Sequence, residues 1–208
     1  MNNKKAKTVF TPEDEPYLGR ETVYAFDQLI IVAMRTNGKI ASHSHEIEKN
    51  DLQWAACQLV PAGFSLALSI RELVRQGYLY GSLVLLRPLA ERAITIYYLH
   101  RFPEKVAIWK NGWNYKERPT LSKMFSEIGG DKFPNCGPEM TKIMNSLTHG
   151  DPESAMWNLI ESEDGSIGHP VSKILNRPDL CDKACLDAAA FMSILLTMAL
   201  AIFPDIEK

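Results

Sequence analysis

The chain has 208 residues, 46% hydrophobic and 23% charged. That length and apolar content suit one globular domain with a sizeable core, and they exclude a disordered chain or a disulfide scaffold. The formal net charge of −2 excludes a global positive field of the kind that draws nucleic acid, though not a local basic patch.

Residues 1–20 carry Pro12, Pro16 and Gly19, which block a helix, and no apolar segment of a secretory signal; they read as an extended arm. One all-helical domain is expected over 21–208. Its first helix spans 21–35 (TVYAFDQLIIVAMR) and ends near Asn37-Gly38. The small polar stretch GKIASHSHEIEKN then reads as a loop. Its His43, His45 and Glu46, with Glu48 nearby, contain the ligand types of a zinc site. A His pair at i, i+2 needs a strand to face one way, so a solvated loop is the simpler reading and no metal is expected.

Asn50 or Asp51 caps a long helix that runs to Gln76, with Gly77 as its stop and a kink or restart at Pro61. A second long helix covers 78–102, bent near Val84 and Leu85 by Pro88. Pro103 opens the next helix, PEKVAIWKNGWNYKER. LSKMFSEI is a short helix, and GGDKFPNCGP a loop. PEMTKIMNSLTHG is again helical, 151–170 irregular and acidic, and 179–203 the last helix. No strand-like alternation persists anywhere. The reading is all-α: a bundle with two long central helices, antiparallel because their connection is short.

The run AAAFMSILLTMALAIF (188–203) carries no charge. A membrane span needs about 20 residues, so a buried helix, alone or in a subunit interface, is expected and no membrane contact. Cys57, Cys136, Cys181 and Cys185 form no CxxC pair and read as reduced thiols of a cytoplasmic protein.

Arg87 and Glu91 stand out in LVLLRPLAERAITIYYLH (83–100). They lie four apart on a largely apolar helix face and can pair. A lone buried guanidinium is too costly, so Arg87 either clamps helices through Glu91 or is held by Glu91 toward an anionic group such as a phosphate. Arg92 points elsewhere, beside Pro88 and Thr95. In NSLTHGD (145–151), His149 sits in the last turn of a helix with Asn145 one turn before it. It reads either as a residue favoured by the helix dipole or as a general acid or base. Over 101–123, Arg101, Lys105, Lys110, Lys116, Arg118 and Lys123 are interleaved with Phe102, Trp109, Trp113 and Tyr115. Such a segment either packs its Trp residues inward or lies along RNA. No Gly-rich phosphate loop, GxSxG or HExxH is present.

LLRPLAERAITIYYL, followed some fifty residues later by MNSLTHG, resembles a bacterial family of small all-helical proteins of unknown function. That family has an Arg-x-x-x-Glu on a central helix and a downstream His-Gly, and it is grouped with the HEPN-like helical superfamily. The likeness covers roughly 51–151. It implies a helical homodimer, and either a metal-independent ribonuclease of toxin–antitoxin or antiphage systems or a non-catalytic module for a partner protein encoded nearby. No cofactor is implied. The site residues carried over are Arg87, Glu91 and His149, with Asn145 holding the phosphate or the imidazole. Lys110, Trp113, Lys116, Arg118 and Lys142 are the expected RNA contacts. The sequence departs from the HEPN nuclease pattern, which has Arg and His on one helix. Here Lys142 stands where that Arg is expected, a point charge and not a bidentate fork, so either Arg87 supplies the guanidinium from another helix or the site is not a nuclease.

Overall fold

In the computed structural model, which describes residues 15–46, 48–114, 116–129, 136–149, 151–161, 164–169 and 173–207, α2 (Asp51–Gln76), α4 (Leu86–Arg101) and α9 (Pro178–Ile202) pack on one another. α1 (Glu21–Glu46) closes the bundle against α2 and α9. The protein is all-α apart from one two-residue strand pair among the described residues. A single hydrophobic cluster runs through all four helices, with Phe26, Phe64, Leu89, Leu99 and Phe203 among its fully enclosed side chains.

Local chemistry accounts for most boundaries. Asn50 and Gln53 form a reciprocal cap at the start of α2, each side chain accepting the other's backbone N–H. Gly77 ends α2 in the left-handed region at φ 82°, where a Cβ would be strained. Pro61 does not break α2. The expected long helix over 78–102 is divided at Leu85, between α3 (Leu79–Val84) and α4. Pro88 has no N–H to offer the carbonyl of Val84, so the hydrogen-bond ladder lapses where the sequence predicts a bend.

Three expectations are corrected. The first helix does not stop at Gly38. It continues to Glu46, because Ile40 extends the apolar stripe of Phe26, Ile30 and Ala33 and is buried against the core, outweighing the poor helix propensity of Gly. His43–Glu46 are therefore helical, and residues two apart on a helix diverge. The side chains of His43 and Glu46 lie outside the described ones, and no metal-binding group of His, Cys, Asp and Glu occurs among the described residues. The helix expected after Pro103 is only a 3-10 turn (Pro103–Lys105) and α5 (Val106–Lys110). Asn111 and Gly112, the latter at φ 76°, turn the chain there, so Trp109 and Trp113 flank a turn. The 151–169 region holds α8 (Pro152–Ala155), a 3-10 turn (Met156–Asn158), and β1 (Ile160–Glu161) paired antiparallel with β2 (Ile167–Gly168), too short to leave an alternating pattern.

The part of the predicted arm that is described, 15–20, is packed. The Tyr17 hydroxyl donates to the carbonyl of Ile174, and the Arg20 guanidinium forks onto Asp182, which also accepts from Thr22. Those bonds, Arg20's first, hold the Asp182 carboxyl below the usual carboxylate range. A depressed folded pKa contributes stability above the unfolded value of about 4, which is lost as pH falls through the lower folded value. Asp182→Asn is therefore expected to lose less stability than the native chain on acidification below pH ~4. Urea midpoints at stepped pH test this, and equal slopes for the two proteins would refute it.

α9 is long and apolar enough to cross a membrane by length and composition, as is α2. In the fold it is surrounded on three sides by α1, α2 and α4. It is not fully buried, however. Leu186, Ala190, Ser193, Thr197 and Leu200 form an uncharged exposed stripe along it. Cys181 and Cys185 are buried free thiols and Cys57 a half-buried one; the Cys136 side chain lies outside the described ones.

α6 (Leu121–Gly129) and α7 (Cys136–His149) form a hairpin packed on the side of α4. Gly137 makes the close crossing possible, since a Cβ there would sit 2.9 Å from the carbonyl oxygen of Ser122.

Candidate phosphate site

The break at Leu85 places Arg87 in the first turn of α4, with Glu91 one turn further on. Arg87 Nε donates to Glu91 Oε1 at 3.3 Å. Its Nη1 lies 3.0 Å from Nε2 of His149, the last residue of α7. A guanidinium can only donate, so a hydrogen bond here requires Nε2 to be the acceptor, the tautomer with its proton on Nδ1. α7 is held there partly by Tyr80 of α3, whose hydroxyl donates to the Leu147 carbonyl at 3.2 Å. That carbonyl is one of the helix-terminal acceptors left without an intrahelical donor.

Glu91 is shared. Its Oε2 lies 3.7 Å from Arg92 Nη1 and 4.0 Å from Arg118 Nη2. Three guanidiniums thus surround one carboxylate, a local excess of positive charge on a chain of net −2. The pair is not an occluded clamp: the Arg87 and Glu91 side chains are 25% and 24% exposed, and His149 is exposed. A surface cation cluster held by one carboxylate has the charge to attract an anion, and the imidazole of His149 stands beside it.

The other predicted residues are distributed around this centre. Asn145 lies one turn before His149 on α7, but its Oδ1 is buried without a hydrogen-bond partner. Lys142 is exposed two turns before His149. Trp113 and Arg118 line the hollow beside Glu91. Lys116 lines a larger cleft of about 820 Å³ that Trp113 also borders, with Tyr98, Phe102 and Lys123. Lys110 is not brought to the centre: its Nζ pairs with Asp51 at 2.5 Å and lies over the Trp54 ring. Arg92 and Tyr80 were missed in the sequence. Arg92 lies beside Pro88 and Thr95 as expected, its Nη1 donating to the Pro88 carbonyl at 3.5 Å, and the same nitrogen also comes within 3.7 Å of Glu91. Nothing in the sequence marks Tyr80.

A family of unknown function, DUF5677, has a model that matches residues 53–123. That stretch includes Arg87, Glu91, Arg92, Trp113 and Arg118 and stops short of His149. No curated protein and no solved structure matches.

Proposed function

We propose that the chain is a HEPN-like, metal-independent ribonuclease whose phosphate site is Arg87, Glu91 and His149. The observation that carries this reading is the 3.0 Å contact between Arg87 Nη1 and His149 Nε2, made across 62 positions of sequence. His149 Nε2 takes the proton of an RNA 2′-hydroxyl as the 2′-oxygen attacks phosphorus. The bond from phosphorus to the 5′-oxygen breaks, that oxygen takes a proton from water, and the exposed His149 gives its proton up to solvent. Arg87 releases the imidazole and stabilises the charge on the phosphoryl oxygens, tethered by Glu91. Arg118, Lys116 and Lys142 bind flanking phosphates, Trp113 contacts a base, and Asn145 turns its amide to the scissile phosphate. The resemblance puts such an enzyme in the bacterial cytoplasm, as a toxin or antiphage effector, working as a homodimer with a partner protein encoded nearby.

A second reading is a non-catalytic helical homodimer that serves as an interaction module. The uncharged exposed stripe of α9 favours it, since a surface without charge suits a helix partner. Product analysis separates the two. Single-stranded RNA incubated with the native chain in EDTA is expected to yield 2′,3′-cyclic phosphate and 5′-hydroxyl ends. Intact RNA at every enzyme concentration would leave the interaction module standing.

A further inference from the structure

Beside Glu91 lies a hollow of about 380 Å³ lined by Trp109, Trp113, Arg92, Arg118 and Leu59. We propose that it is a nucleobase subsite, holding one unpaired base of single-stranded RNA next to the phosphate at Arg87. This rests on the phosphate-site reading above.

The wall chemistry selects the occupant. Both indoles are half-buried and border the hollow, and Trp109 is braced by an edge-on contact with Trp54 at 6.0 Å between centroids. The Asn111-Gly112 turn returns the chain so that Trp113 borders the same space. Aromatic faces are the platforms on which unpaired bases stack, whatever their identity. An inorganic anion would use the two guanidiniums but not the indoles, and an aliphatic ligand the reverse. A base attached to a sugar phosphate uses both: its ring on tryptophan, its phosphates on Arg92 and Arg118. The volume is at the small end of ligand sites, which run from about 300 to 1,000 Å³, and suits one nucleoside. Bases within a duplex are stacked and cannot enter, so the substrate class is single-stranded RNA with a base turned out. Glu91 lines the hollow and accepts from Arg87, so the base subsite adjoins the phosphate site.

Calorimetric titration of the full chain with adenosine 5′-monophosphate and with ribose 5-phosphate tests this, because the two probes share a phosphate and differ by the base. The nucleotide is expected to bind about tenfold tighter or more, the usual scale of one stacking contact. Trp113→Ala is expected to erase that advantage while ribose 5-phosphate binding holds, and Arg87→Ala to weaken both. Should Trp113→Ala fail to fold, Trp113→Leu, which keeps apolar bulk and removes the stacking face, is expected to erase the same advantage. Equal affinities for the two probes would overturn the base subsite and leave the phosphate site in place. A nucleotide preference that survives the Trp113 substitution would also overturn it. No binding of either probe would overturn the phosphate site as well.

Discussion

Arg87→Ala and His149→Ala are each expected to lower the metal-free RNA cleavage rate by two to four orders of magnitude while leaving the fold intact. Removing a positioned general base costs about 10²–10⁴, and removing the group that stabilises the phosphoryl charge about 10²–10³. Neither side chain is buried, so truncation opens no core cavity. The diagnostic quantity is the double variant. Two groups 3.0 Å apart that act on one phosphate are a unit, and units are non-additive. The double variant is expected to be about as slow as the slower single variant. Fully multiplicative losses, measured under single-turnover conditions, would show that the two residues act independently.

The second large effect is structural. Gly63 lies in α2 where a Cβ would overlap Cδ1 of the fully buried Leu195 on α9. Gly63→Val is expected to cost about 2–3 kcal/mol, the scale of overpacking a core. For a chain of this size that lowers the melting temperature by roughly 5–10 °C. Gly38, also inside a helix, has open space around it. Gly38→Ala is expected to gain roughly 0.5–1 kcal/mol by relieving the entropic cost of Gly, which controls for generic glycine effects. Thermal melts of both variants check the pair, and unchanged melting of Gly63→Val would mean that α2 and α9 are not in close contact there.

Much of the architecture is legible in single residues. Pro88 announces the break at Leu85, the Asn50 and Gly77 caps bound α2, and the uncharged run in α9 announces a helix that needs company. What escapes is decided by contacts distant in sequence. Gly38 reads as a stop until Ile40 is seen in the core. The Asn111-Gly112 turn competes with a helical pattern that continues past it, and only packing shows which wins. The site divides in the same way. The Arg87–Glu91 pair follows from four-residue spacing on one helix. The arrival of His149 depends on how the α6–α7 hairpin lies against α4, set by Gly137 and Tyr80, and no local pattern encodes it. Arg92 and Arg118 join Glu91 through long side chains whose direction spacing does not give. Lys110 shows the opposite failure: a basic residue in a basic segment that Asp51 and Trp54 engage.

The measurement that bears most directly on the proposed chemistry is the cleavage rate of a labelled single-stranded RNA in EDTA, for the native chain and His149→Ala, each with and without added imidazole. The account predicts cleavage by the native chain, its loss in His149→Ala, and partial recovery when imidazole supplies the missing base. Cleavage by His149→Ala at the native rate would contradict it, and so would a native chain that leaves the RNA whole.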